Sequence, residues 1–172
     1  HCKIKDLELY NNGIILFSGS LDGLIGKLFS KNITGEIFDL FEKFKKIFKE
    51  NFYIEIQRHN DKGEKLFEKF LLNVSSQLRL PIIATHEVFY LEENMHEAHD
   101  AYLCIGEKTY INVESRKKYS NSHYLKSSEE MRQLFNDLPD ALENNLNFPH
   151  RISYRPKNQP SVLPNIQKSN MK

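Results

Sequence analysis

The sequence predicts an α/β fold built on a parallel sheet. Three short runs rich in apolar, β-branched or aromatic residues, 13–19, 52–57 and 82–85, alternate with two long amphipathic stretches. Strand–helix–strand–helix–strand order with crossovers of that length implies parallel, right-handed βαβ units. At 172 residues, 40% hydrophobic and 27% charged, the chain suits one domain with a sizeable core.

Gly13-Ile14-Ile15-Leu16-Phe17-Ser18-Gly19 is a continuous apolar run between glycines, the pattern of a strand buried on both faces. Ser20 to Gly23 reads as a turn, and a short helix is expected over Leu24 to Phe29. Thr34 is the expected N-cap of the next helix. Ile37, Phe38, Phe41, Phe44, Ile47 and Phe48 recur at three-to-four spacing, which predicts an amphipathic helix over 36–49. Phe52 to Gln57 is a second strand, and Arg58 to Gly63 a polar loop. A second amphipathic helix is expected over 64–78, with Leu66, Phe67, Phe70, Leu71, Val74 and Leu78 inward. A third strand follows at Ile82 to Thr85, then a helix over about 95–105. Ser127 with Glu130 forms a capping box. Asp137 two residues before Pro139 marks another helix start, and Pro149 its stop. Three βα units do not close an eight-stranded barrel, so either the sheet is open or earlier units are missing.

Composition excludes several classes. A net charge of +1 gives no global field for nucleic acid. No apolar run approaches the ~20 residues that span a bilayer, and no signal-peptide pattern opens the chain. Cys2 and Cys104 make neither a disulfide framework nor a Cys-x-x-Cys knuckle, so a reduced cytoplasmic setting is expected. The chain opens on His1 and closes on a Pro-containing stretch. From Arg151 to Lys172 it has five basic residues and no acid. A piece of a longer protein is the expectation, with 149–172 a basic linker that is solvated or touches phosphate.

The chemistry candidates lie around the third strand. His86 and Glu87 stand at its C-terminal end, where α/β proteins place their sites. Glu87 is either a metal ligand or a loop carboxylate accepting hydrogen bonds. His96 and His99 are three apart, one short of the His-Glu-x-x-His zinc spacing. They either share a metal or sit on a polar helical turn with one ring packed on the strand. Ser18-Gly19-Ser20 lacks the Gly-x-Ser-x-Gly of a nucleophile elbow and reads as turn chemistry. His59 follows the second strand's C-terminal end. His1, His123 and His150 have no partner pattern and read as surface.

Several segments, in order, resemble the PHP (polymerase and histidinol phosphatase) domain of bacterial replicative DNA polymerases, the alpha subunit of DNA polymerase III. They are Gly13 to Gly19, Tyr53 to Arg58, Leu80 to Tyr90, Glu97-Ala98-His99-Asp100 with Leu103 to Gly106, and the helices from Tyr124 to Asn144. Each is weak alone; together they cover about 7–156 and are specific. The resemblance implies a distorted βα barrel, here partial because its N-terminal half with the family's His-x-His is missing. A small helical segment and an extended tail would follow.

It also implies vestigial ligand positions. A family Cys corresponds to Ser20, an Asp to Glu87 and a His to Phe89. Serine is a poor substitute for thiolate and phenylalanine cannot coordinate, so no metal, cofactor or catalytic residue is expected here. His96 and His99 do not match ligand positions. Residues 1–148 would be a non-catalytic PHP-like scaffold, and 149–172 would lead to a polymerase module that uses Mg. Expected partners are the rest of the alpha chain, the proofreading exonuclease subunit, and DNA through the parent; no membrane is expected. The rival reading is a metal-dependent phosphoesterase using His86, Glu87, His96 and His99. Half a barrel would leave an unpaired strand edge and an uncovered apolar face, and hence poor stability.

Overall fold

The computed structural model describes residues 3–158 and 160–161. His1, Cys2 and residues 162–172 of the expected linker lie outside them. The elements run α1 (Ile4–Leu9), β1 (Leu16–Phe17), α2 (Leu24–Ser30), α3 (Thr34–Phe48), β2 (Phe52–Ile56), α4 (Glu64–Leu78), β3 (Ile82–Ala84), α5 (His96–Glu107), α6 (Ser128–Leu134) and α7 (Pro139–Asn147). Single 3-10 turns at Lys49–Asn51, Glu93–Met95 and Phe148–Arg151 join them. Among the described residues no helix is long and apolar enough to cross a membrane.

The sheet is parallel with order β1-β2-β3. Leu16 registers with Phe52, and Ile54 with Ile82. In the central strand Phe52, Tyr53 and Ile54 are all buried. Successive residues of a strand face opposite sides, so both faces of β2 are covered. Phe41 and Phe44 of α3 meet the Phe52 ring, each at 5.6 Å between centroids. Phe67, Leu71 and Val74 of α4 are buried. Phe29 of α2 touches Phe67 and Phe70, binding α2 to α4.

The two sheet edges are treated differently. On the β3 side, α7 supplies side-chain amides where a strand would supply peptides. Asn145 Nδ2 donates to the Ala84 carbonyl at 2.6 Å and its Oδ1 accepts the Ala84 amide at 3.3 Å, while Asn144 Nδ2 donates to the Ile82 carbonyl at 2.8 Å. That edge is closed against further pairing. The β1 edge has no strand partner among the described residues.

Several expected elements change. The strand over 13–19 is only Leu16–Phe17 and half-buried, because Ile14 is exposed and Ser18 ends the pairing with its side chain. Ser18 Oγ accepts the Glu55 amide at 2.9 Å, which fits turn chemistry and not a nucleophile. Thr34 is the first helical residue and not the N-cap; Ile33 occupies that position. Leu66 is 66% exposed, so the inner face of α4 is narrower than its apolar count. The Ser127–Glu130 capping box forms in full. Asp137 does not cap α7; Leu138 is the N-cap, and the Asp137 carboxylate is drawn away by Arg58. The α-helix α7 ends at Asn147, just ahead of Pro149 as expected, and Pro149 sits early in a short 3-10 turn that tolerates its missing amide. The helix α1 carries no strong sequence signal and lies outside the expected elements.

Two packing details fix this arrangement. Gly26 lies in α2 with the Leu21 backbone against it; a Cβ there would fall 2.0 Å from the Leu21 carbonyl oxygen. Arg58 joins α4 to the α6–α7 turn. Its guanidinium donates to Glu68 at 2.5 Å, to Asp137 at 2.6 and 2.9 Å and to the Leu134 carbonyl at 2.6 Å, and it lies 4.9 Å from the Phe135 ring centre. Gly26→Ala should lower unfolding free energy by about 2 kcal/mol through backbone overpacking, measurable by urea denaturation. Arg58→Lys should lose about 2 kcal/mol and Arg58→Ala about 3, because a point charge cannot replace the fork and a missing one strands Glu68. Equal stability of Arg58→Lys and wild type would contradict this.

Candidate functional site

The loops after the three strands converge at their C-terminal ends around a cleft of about 180 Å3. Ser20 enters it from the β1 side, His59 and Asp61 from the loop after β2, Glu87 from the end of β3, and His123 from the segment before α6. The loop after β2 turns tightly through Asn60 and Gly63, at φ of 65° and 90°. That turn brings the amides of His59 and Asn60 onto the Glu64 carboxylate at 2.7 and 2.8 Å. The first residue of α4 thus folds the loop back on itself.

His59 and His123 are 2% and 1% exposed. His59 Nε2 accepts the Glu87 amide at 3.0 Å. Its proton therefore sits on Nδ1, which donates to Glu64 at 3.0 Å. His123 Nδ1 reaches the Glu87 carbonyl at 3.1 Å and its Nε2 reaches Asp61 Oδ2 at 2.9 Å. Asp61 Oδ1 accepts the Ser120 amide at 3.0 Å, and the Ser120 hydroxyl donates to the His59 carbonyl. Burial alone would raise the Asp61 carboxyl, but the His123 and Ser120 hydrogen bonds hold it below its ordinary value.

The rings form a column. His86 lies 4.5 Å from His59, His59 4.0 Å from His123, His123 4.7 Å from Phe89 and Phe89 5.1 Å from His99. His59 and His123 are within 1° of parallel, and Phe89 and His99 within 9°.

Of the residues singled out in the sequence, Ser20 and Glu87 both line the cleft, but the Glu87 side chain is exposed and its backbone does the binding. Phe89 is held between His123 and His99. His96 and His99 do not converge on a shared centre. His96 Nε2 faces the Tyr119 carbonyl at 2.9 Å, and His99 is the ring packed on the strand-end residues. His86 Nε2 faces the Tyr124 carbonyl at 3.1 Å, which leaves Nδ1 buried without a partner. His123 is not at the surface, contrary to the sequence reading; no local pattern marks it, because its partners lie 36 and 62 residues away. Asp61 is not among the residues singled out in the sequence, although His59-x-Asp61 stands at a strand's C-terminal end and could have signalled it. His150 is exposed, as expected.

His59, Asp61 and His123 form a possible metal-binding triad, with donor atoms within 4.8 Å of one another. As placed, the set does not fit an ion. A metal lies in the plane of each imidazole that binds it, along the nitrogen lone pair. Two parallel rings stacked 4.0 Å apart share no such point. Both nitrogens of His59 are also already engaged. Coordination would require one ring to leave the column.

The sequence is similar to known proteins. The PHP domain family matches residues 1–59. Over 166 residues the chain is 35% identical to the DNA polymerase III subunit alpha of Rickettsia prowazekii, covering 96% of this chain and 14% of that protein. It is 36% identical over 168 residues to the subunit of Rickettsia bellii, covering 96% of the chain and 14% of the relative. It is 39% identical over 140 residues to that of Borreliella burgdorferi, covering 81% and 12%. The sequence thus carries a PHP-domain match and, along most of its length, is similar to a segment about one seventh as long as the DNA polymerase III alpha subunits it matches.

Burial, then the neighbouring charges of His59 and Lys126, hold His86 down to about 4. Its folded value lies below the unfolded one of 6.5, so the folded state binds fewer protons between them. The stability that neutral His86 supports is present above about pH 6.5 and is lost as pH falls toward 4. Wild type should therefore lose stability more steeply than His86→Gln between about pH 6.5 and 4.5, followed by denaturant midpoints. Parallel curves would contradict the assignment.

Proposed function

We propose that this chain is part of the PHP module of a bacterial replicative DNA polymerase alpha chain and acts as a non-catalytic scaffold. The observation that carries this reading is colinear similarity to alpha subunits over 96% of the chain. Residues 1–148 are the scaffold, a partial distorted βα barrel, and 149–172 lead toward the polymerase module. Nucleotidyl transfer with Mg belongs to that module. The segment itself contributes no catalytic group. Its partners are the remainder of the alpha chain and the proofreading exonuclease subunit, in the cytoplasm. The open β1 edge beside the closed β3 edge supports an upstream barrel portion joining at β1.

A metal-free state is part of the same reading, supported by Phe89 inside the ring column and the parallel His59 and His123 planes. The phosphoesterase alternative draws on the donor triad in the cleft.

In size-exclusion chromatography the purified chain should co-elute with an alpha chain deleted for this segment, and with the exonuclease subunit added. Alone it should extend no primer. Failure to associate with either would overturn the scaffold role. Metal analysis of the purified chain should give far less than one equivalent of Zn or Mn. Stoichiometric metal that disappears in His59→Ala/His123→Ala, with phosphatase activity that follows it, would transfer the case to the phosphoesterase.

A further inference from the structure

At the opposite end of the sheet the chain presents an open groove of about 460 Å3 lined by Lys45, Lys49, Arg79 and Arg151 with one carboxylate, Glu50. None of the four cations is ion-paired among the described residues. Lys45 Nζ donates to the Leu78 carbonyl at 2.6 Å, and Arg151 to the Glu50 carbonyl at 3.2 Å and to Tyr53 and Asn51. Arg151 is thereby fixed, with its charge uncompensated. Cations near helix C-termini also complement the helix dipole, which accounts for Lys45.

It applies equally to Lys49 and Arg79, the C-caps of α3 and α4, but leaves their charges without an ion pair among the described residues. Both side chains are exposed and make no hydrogen bond among the described residues. Both stand where the backbone favours glycine: Lys49, C-cap of α3, at φ 51° and ψ −121°, and Arg79, C-cap of α4, at φ 50° and ψ 54°. Glycine is the common residue for a left-handed helix end. The backbone at each position is held by a cap hydrogen bond, Lys49 N–H to the Lys45 carbonyl and Arg79 N–H to the Ser75 carbonyl, while both long cationic side chains line the groove without an internal partner among the described residues.

We propose that this groove binds the phosphate backbone of single-stranded nucleic acid. The segment leaving it favours that occupant over an acidic peptide or an anionic lipid surface. Arg151, Arg155 and Lys157 are interleaved with Tyr154, which is 79% exposed and offers a stacking face for a base. The surface belongs to this chain alone, so its test needs no polymerase partner and is separate from the scaffold reading.

The experiment is fluorescence anisotropy of the full 172-residue chain with a labelled oligothymidylate of about 20 nucleotides, longer than the roughly 4–16 of a single binding fold. Neutralising one phosphate with each of the four cations predicts about 50-fold weaker binding at 200 mM salt than at about 50 mM. Lys49→Gln/Arg79→Gln leaves two of those cations, and its binding should fall only about 7-fold over the same range. Tyr154→Ala should weaken binding roughly tenfold with the salt dependence retained. Lys65→Gln/Lys69→Gln removes equal charge toward the far end of α4 and should behave as wild type. Lys49→Gly/Arg79→Gly puts the residue that this backbone favours at both caps. It should melt no lower than wild type yet bind as weakly as the Gln pair, which separates a binding defect from a folding defect. The proposal is overturned if wild type and the Gln pair share one salt dependence, if the α4 control weakens as much, or if poly-glutamate or anionic vesicles bind as tightly as the oligonucleotide.

Discussion

The amide and carbonyl of Glu87 stand just past the last ladder bond of β3, where no strand among the described residues pairs with them. Two buried imidazoles take the strand's place: His59 accepts from the amide and His123 reaches the carbonyl. A buried peptide group without a partner is costly, so the strand end is only stable with both rings seated. Each ring in turn needs a carboxylate, Glu64 for His59 and Asp61 for His123. The loop after β2, the start of α4, the end of β3 and the 120–124 segment are therefore fixed by one network. Its members are all satisfied except His86 Nδ1, and a network of this kind specifies a single arrangement only when nearly complete.

That network also engages the nitrogens and stacks the rings of His59 and His123, two members of the possible metal-binding triad. Stacking uses the ring faces and hydrogen bonds use the nitrogens. The order His86, His59, His123, Phe89, His99 fills the strand-end space with a column of rings, near-parallel from His59 to His99 and tilted by 32° at His86. Phe89, where the PHP family resemblance implies a histidine, is the middle of the column's second half and is flanked by imidazole on each side.

The sheet's two ends divide the chemistry. At the C-terminal end acids and histidines neutralise one another around a narrow cleft. At the N-terminal end cations gather without ion-pair partners among the described residues, two of them, Lys49 and Arg79, on backbone that favours glycine. Overall charge is nearly balanced, so only the three-dimensional sorting of charge makes either end distinctive.

Periodicity and order were readable along the chain. The alternation of apolar runs with amphipathic stretches set the parallel sheet, and 64–78 reads as a helix with the bounds it has, because apolar spacing and loop residues agree there. The ordered segments from Gly13 to Asn144 carried the family resemblance, since similarity depends on residue order alone. Local capping signals succeeded where both partners are near in sequence, as at Ser127 and Glu130, and failed at Asp137, where Arg58, 79 residues away, outcompetes the helix end. Distance in sequence likewise hid His123, whose partners are remote, and made His96 and His99 look like a pair although they turn to different neighbours. Which histidines are buried, which nitrogens are already used and whether ring planes converge are properties of packing between distant segments, and only the tertiary structure decided them.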